Sequence, residues 1–188
     1  RWSFSYTRLN LHLAAAAASA GGCFVVDSTR NGKRFPDSFT STVPIWCCVL
    51  NRLVASEICT GRGEERSEVW DTALHTPRWL SASETSQIEA RLDGWLKGLG
   101  AAREPLRIRV RSFLKKPLRP VWISPETRII DGMLPAWPSS PSSENDLSFT
   151  PIICVSSSKV ISREHHREHH SWVYIQGAGD DEEHWSQG

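Results

Sequence analysis

A chain of 188 residues with 39% hydrophobic and 23% charged residues is long enough for one ordinary domain with a buried core. Its formal net charge of +1 excludes a polycation, so any affinity for nucleic acid has to come from a local basic patch. No stretch approaches the ~18 consecutive apolar residues of a membrane-spanning helix, and we expect no membrane partner.

The first predicted elements are a helix over 6–20 and a buried strand over 23–26. Alanine is the best helix former, and Gly21 and Gly22 end the run. The alternative, the apolar region of a signal peptide, is weakened by His12. The strand is short and has β-branched and aromatic residues without alternation, which predicts burial on both faces.

Two further helices are predicted from their start signals. Thr42 as N-cap and Pro44 in the first turn begin one helix, and the capping-box pair Ser81 and Glu84 begins the other. Apolar residues spaced three and four apart follow in both: Trp46, Val49, Leu50 and Leu53, then Ile88, Leu92, Trp95 and Leu99.

Three later strands are predicted over 120–124, 152–155 and 172–175, each ending in polar residues. Four strands that are partly separated by helices predict the α/β class, with a mostly parallel sheet flanked by helices. The chain starts without methionine and stops soon after an acidic turn, so we expect a fragment that is incomplete at both ends. A Pro/Ser-rich loop is expected over 137–146.

The cysteines are odd in number, five in all, and form no CxxC pair. Most lie in apolar surroundings. Reduced, buried thiols in a cytoplasmic protein are therefore expected, rather than disulfides or a zinc site.

A turn rich in cations and hydroxyls follows the first strand. It contains Asp27, Ser28, Thr29, Arg30, Gly32, Lys33 and Arg34. Backbone N–H groups in such a turn can point at an anion, and the cations can pair with phosphate oxygens. The spacing is not that of a Walker A loop, and a solvated basic turn is an equal alternative.

An acidic turn follows the last predicted strand. Asp180, Asp181, Glu182 and Glu183 come after two glycines, and Mg²⁺ prefers carboxylates together with substrate phosphates. By itself the acidic run favours a solvated surface turn, and its position directly after a strand and two glycines strengthens the metal hypothesis.

A histidine-rich run, 164–170, has pairs spaced four apart as in zinc-binding helices, His165 with His169 and His166 with His170. The HExxH order is absent and the HREHH unit is nearly duplicated, which favours a low-complexity loop.

One segment is strongly basic. Arg107, Arg109 and Arg111 alternate with apolar residues, so an extended conformation would place them on one face. Together with Lys115, Lys116 and Arg119 they could contact an RNA backbone. The alternative is an edge strand protected from aggregation by its charge.

Tryptophan is abundant, with nine residues. Most lie in apolar stretches and are assigned to the core. Trp185, beside the acidic turn, is the one that we expect to stack on a base.

Six segments resemble the initiator tRNA phosphoribosyl transferase family, in the expected order. They are Trp2–Ser5, Arg8–Leu13, Cys23–Arg34, Thr42–Cys47, Lys116–Ile123 and Tyr174–Asp181. The match is good around 1–54 and 116–188 and poor over about 60–112, a divergent charged loop, helix and basic segment. The resemblance implies that 1–188 is a partial N-terminal domain. It lacks the C-terminal phosphatase-like domain that this family has.

The resemblance also implies an activity. Members transfer a 5-phosphoribosyl group from phosphoribosyl pyrophosphate to the 2′-hydroxyl of a T-stem adenosine of initiator tRNA, which blocks its use in elongation. Asp27 and Asp180 become catalytic candidates, with Asp27 as base or as a ligand of ribose hydroxyls, and Asp180 and Asp181 become Mg²⁺ ligands. Substrate and phosphate binding falls to Ser28, Thr29, Arg30, Lys33, Arg34, Gln176, Gly177 and Gly179.

Two alternatives remain. One is a non-catalytic or truncated tRNA-binding module. The other is a phosphatase-like hydrolase, which lacks support because no cysteine lies in a Cys-x₅-Arg loop. After Cys23 the arginine, Arg30, comes one residue late.

Overall fold

The computed structural model of the protein describes residues 2–28, 34–55, 70–125, 127–128 and 147–157. Their helices are α1 (Leu11–Ala20), α2 (Val43–Ala55), α3 (Ala82–Gly98) and α4 (Arg103–Phe113), and their strands are β1 (Cys23–Asp27), β2 (Leu118–Ile123) and β3 (Thr150–Ser156). A π-helical turn, Ser38–Thr42, leads into α2, and a 3₁₀ turn, Gly100–Ala102, leads into α4.

The three strands form one parallel sheet in the order β1-β3-β2. In this register Val25 of β1 and Trp122 of β2 both lie opposite Cys154 of the central strand. The predicted α/β class with a parallel sheet is therefore confirmed. The strand expected over 172–175 lies outside the described residues.

The described helices cover one face of the sheet. Helix α1 packs against β1, β3 and α4, whereas α2 packs against β2, α3 and α4. Because it has the sheet on one side and helices on the other, α2 is buried along almost its whole length, with Val49 and Val54 fully inaccessible. Such a helix needs apolar residues all around, which its sequence supplies.

The sequence predicts that strand β1 is buried on both faces. In the structure one of its faces is exposed. Phe24 is 69% exposed and Val26 is 65% exposed, while Cys23 and Val25 pack against the core. The strand lies at the edge of the described sheet, and side chains alternate between its faces. The described helices cover only the face that carries Val25.

Local signals place several ends correctly. Ser81 caps α3 in a reciprocal capping box, with the Glu84 N–H donating to Ser81 Oγ at 3.2 Å. Gly21, at φ 77°, ends α1 in the left-handed conformation. The predicted helix start at residue 6 is wrong, because Asn10 is left-handed at φ 48° and α1 begins only after it. Thr42 is not an N-cap, since it lies within the π-helical turn that continues into α2.

The extended conformation predicted for the basic segment is wrong, because Arg107, Arg109 and Arg111 lie in α4. The apolar residues of this segment also recur with helical spacing: Leu106, Val110 and Phe113 contribute to the core. Burial of this stripe against α1 and α2 decides for the helix over the alternation of period two.

Four cysteines are described, Cys23, Cys47, Cys48 and Cys154, and all are free thiols, as predicted. Burial raises the pKa of Cys154 to about 12. The pKa of Cys48 is raised to about 11, and burial is the largest of several causes. Cys59 lies outside the described residues. Among the helices that are described, none combines the length and the apolar character needed to cross a membrane.

Candidate functional site at the carboxyl edge of the sheet

Asp27 is the last residue of β1, so its carboxylate lies at the edge where the three parallel strands end. Its Oδ1 accepts a hydrogen bond from the Ser28 backbone N–H at 2.8 Å. Its Oδ2 accepts one from the Ser38 hydroxyl at 3.2 Å. Two donors from different segments thus hold this half-buried carboxylate in one orientation. A catalytic or binding group needs such a fixed orientation to act on one atom of its ligand.

The neighbouring strand end adds hydroxyl groups to the same edge. Asp27 pairs with Ser156 in the sheet register, and the Ser157 N–H donates to the Asp27 carbonyl oxygen at 3.0 Å. The Ser157 hydroxyl approaches the same carbonyl at 3.3 Å. The ends of β1 and β3 are therefore joined at the candidate site.

Arg34 connects the ends of β2 and β3 at this edge. Its Nε donates to the Ser124 hydroxyl at 2.9 Å, directly after β2, and its carbonyl oxygen accepts from the Ser156 hydroxyl at 2.7 Å. The Ser124 N–H in turn donates to Thr127 Oγ1 at 2.8 Å. The structure thereby brings an arginine, a carboxylate and several hydroxyls to one edge, a group that suits a phosphorylated sugar.

Of the candidates in the first polar turn, the structure therefore brings together Asp27, Ser28 and Arg34. Thr29, Arg30 and Lys33 lie outside the described residues. No sequence motif assigned these further hydroxyls to the site: Ser38, Ser124, Thr127, Ser156 and Ser157. A usable signal existed for four of these, since they lie at or within four residues of the end of a strand.

Three aromatic rings, Phe35, Trp79 and Trp122, form a cluster beside this edge. The rings of Phe35 and Trp79 are stacked, with centroids 4.3 Å apart and an interplanar angle of 12°. Trp122 meets Trp79 edge-on, at 6.1 Å and 79°. The Arg34 guanidinium lies 5.7 Å from the Phe35 ring centroid. The cluster is thus continuous with the polar edge.

The six candidate RNA-binding cations do not form one face. Arg107 is 12% exposed and pairs with Glu104, and this hydrogen bond lowers the pKa of that carboxyl group. Arg109 and Arg111 of α4 and Lys115 just beyond it are exposed, but Arg109 and Arg111, two residues apart, point to different sides of the helix. Lys116 instead donates to the Leu147 carbonyl oxygen at 2.6 Å.

Arg119 ties β2 to the segment that precedes α3. Its guanidinium contacts the Asp71 carboxylate and lies 4.3 Å from the Phe149 ring centroid. Asp71 Oδ2 also lies 2.7 Å from His75 Nε2. Burial alone would raise the pKa of Asp71, but the hydrogen bonds from Arg119 and His75 outweigh it and lower that pKa. Arg119 is thus engaged within the fold.

No group of three or more potential metal ligands occurs among the residues that the structure describes. The candidates of the acidic turn, Gln176, Gly177, Gly179, Asp180 and Asp181, lie outside them. So do the histidine-rich run and Trp185.

The whole chain, residues 1–188, matches the family described as Rit1 N-terminal domain. An uncharacterised protein of Schizosaccharomyces pombe is 36% identical over 190 residues, which cover 100% of the chain and 37% of that protein. The tRNA A64-2′-O-ribosylphosphate transferase of Saccharomyces cerevisiae is 31% identical over 200 residues, again covering 100% and 37%. The chain therefore spans little more than a third of the length of both relatives. No solved structure gives a significant match.

Proposed function

Because the chain belongs to the Rit1 N-terminal domain family, we propose that it is part of a tRNA-modifying transferase. The reaction moves a 5-phosphoribosyl group from phosphoribosyl pyrophosphate to the 2′-hydroxyl of a T-stem adenosine of initiator tRNA. One observation carries this proposal: Asp27 and Arg34 both lie at the carboxyl edge of the sheet, each bonded to hydroxyl groups there. The name of the budding-yeast relative supports the same reaction class.

The transfer forms a bond between the tRNA 2′-oxygen and the anomeric carbon of the donor. The bond from that carbon to pyrophosphate breaks, and pyrophosphate leaves with the electron pair. The 2′-hydroxyl loses its proton, for which we propose the Asp27 carboxylate as acceptor. The hydrogen bonds from Ser28 and Ser38 would orient it towards the incoming hydroxyl. In a second possible role, Asp27 positions the ribose hydroxyls of the donor.

Donor phosphates are proposed to bind Arg34 and, with it, Arg30 and Lys33, with Ser28 and Thr29 as hydroxyl and backbone donors. Asp27 provides the oxygen chemistry that Mg²⁺ prefers, but the described residues gather no complete set of ligands. From the resemblance of 174–181 to the family, we propose Asp180 and Asp181 as Mg²⁺ ligands and Gln176, Gly177 and Gly179 as substrate-binding residues. Bound there, the ion would neutralise charge on the leaving pyrophosphate.

The tRNA backbone is proposed to lie along the exposed surface of α4, where Arg109, Arg111 and Lys115 reach solvent. Residues 103–116 carry six cationic side chains against one carboxylate, in a chain whose overall charge is only +1. Such a local excess of positive charge suits phosphate contacts, and the affinity for tRNA should fall as salt rises.

The test is transfer of label from radiolabelled phosphoribosyl pyrophosphate to unmodified initiator tRNA, with the protein expressed from its full reading frame. Asp27→Asn should lower the turnover roughly 10²- to 10⁴-fold, the usual contribution of a general base. Asp93→Asn is the matched control, because this carboxylate is 79% exposed on α3. Wild-type turnover in Asp27→Asn would show that the base assignment is wrong.

The exposed cations of α4 also favour a second candidate, a tRNA-binding module without catalysis. Both candidates predict tRNA binding that weakens with salt. Only the transferase predicts Mg²⁺-dependent binding of the donor, so isothermal titration with phosphoribosyl pyrophosphate separates them. Binding of tRNA without binding of the donor would favour the module.

A further inference from the structure

Trp79 combines exposure with rigid support. It is 48% exposed, yet one face of its indole is stacked on Phe35 at a centroid distance of 4.3 Å. A large aromatic side chain that remains half exposed while it is held from behind is informative, because burial of its whole surface would be more favourable. The open area of the ring is thus available to a planar ligand.

The support behind Trp79 is well fixed. Phe35 is only 6% exposed, and the Trp122 indole is anchored by a hydrogen bond from its Nε1 to the Phe39 carbonyl oxygen at 2.7 Å. Trp79 itself lies in a turn closed by the Leu80 N–H and the Pro77 carbonyl at 3.0 Å. A ring held in this way loses little conformational freedom when a ligand binds, which favours affinity.

The surroundings of Trp79 indicate the chemistry of the ligand. Phe35, on which it stacks, directly follows Arg34, whose guanidinium bonds Ser124 at the polar edge. An aromatic surface next to a cationic group suits single-stranded nucleic acid, since every base has a flat π-face and a charged backbone. The cluster thus lies one residue from the groups to which we assign the donor phosphates.

We propose that Trp79 is a stacking platform for an unpaired nucleobase of the RNA substrate. This inference rests on the proposed function, and it deepens it by naming how the RNA is held beside the carboxyl edge. Phosphoribosyl pyrophosphate has no base, so the stacked base comes from the RNA. The platform differs from the exposed cations of α4, which are proposed to contact phosphates, because phosphate contacts carry no information about bases.

The experiment compares two fluorescein-labelled RNA octamers by fluorescence anisotropy at one fixed salt concentration. One is octaadenylate, and the other has the same phosphates but abasic riboses at its central positions. The protein expressed from its full reading frame should bind octaadenylate more tightly by roughly 5- to 150-fold, the measured range for stacking one base. Equal affinity for the two octamers would overturn the proposal without any variant.

Trp79→Leu should remove most of this preference and leave the affinity for the abasic octamer unchanged, whereas Trp79→Phe should retain part of it. Phe24→Leu is the matched control, because Phe24 is 69% exposed on the uncovered face of β1. Equal weakening for both octamers in Trp79→Leu, or no weakening, would refute a stacking role.

The outcomes for the two proposals are separate, because the anisotropy measurement needs neither donor nor turnover. A base preference that depends on Trp79, without any transfer of label, would overturn the transferase alone. Transfer of label without a base preference would overturn the stacking platform alone.

Discussion

Asn51 joins α2 to the strand whose end positions Ser124. It is 1% exposed, and its side-chain amide donates to the Leu118 carbonyl at 2.8 Å while its Oδ1 accepts from the Leu118 N–H at 2.8 Å. Both backbone groups belong to the first residue of β2. The amide therefore acts as a two-sided clamp between the buried helix and the sheet.

Asn51→Ala would leave both backbone groups of Leu118 without this partner. Each buried group left unpaired costs about 1–3 kcal/mol, so the free energy of unfolding should fall by about 2–6 kcal/mol. That is a large share of the ~5–15 kcal/mol that stabilises an ordinary domain.

Urea unfolding measures the total loss, and hydrogen exchange read by mass spectrometry over 118–123 locates it. Val54→Ala is the matched control, since Val54 is fully buried on the same helix and its truncation costs about 1–3 kcal/mol. Only the Asn51 variant should lose protection selectively in β2. A loss below about 1 kcal/mol, or equal protection of β2 in both variants, would refute the clamp.

Two further outcomes test local geometry and pH. Gly22→Ala should lower the free energy of unfolding by about 1–3 kcal/mol, because Gly22 has φ +149° and an added Cβ would lie 2.8 Å from Pro151 Cγ. An unchanged midpoint of urea unfolding would contradict this. The pKa of Asp71 is lowered by its pairing with Arg119 and His75. This pairing therefore stabilises the fold fully at pH values above the ordinary carboxyl pKa of 3.8. The stabilisation is lost as the pH falls through the lower pKa of the folded state. The difference in stability between wild type and Asp71→Asn should therefore shrink as pH falls below 3.8, and a constant difference would contradict this sign.

Several parts of the fold follow from neighbouring residues and were predictable. Ser81 and Glu84 satisfy each other's backbone groups within one turn, so the start of α3 needs no distant partner. Gly21 ends α1 for a similar local reason, its tolerance of positive φ. Around Arg109 the apolar residues fit both the two-residue period of a strand and the spacing of a helix. The local pattern misleads there, because burial of the apolar stripe decides between helix and strand.

The candidate site divides in the same way. Asp27, Ser28 and Arg34 were predictable, because polar residues directly after an apolar strand lie at the edge of a parallel sheet. Arg34 donates to Ser124, 90 residues away, and Trp122 donates to the Phe39 carbonyl, 83 residues away. Both contacts follow from the strand order β1-β3-β2. Apolar runs locate the ends of β1, β2 and β3 but do not order the strands, so the sequence alone determined which groups stand at these strand ends. Only the tertiary structure decided which of them meet, because long-range packing orders the strands.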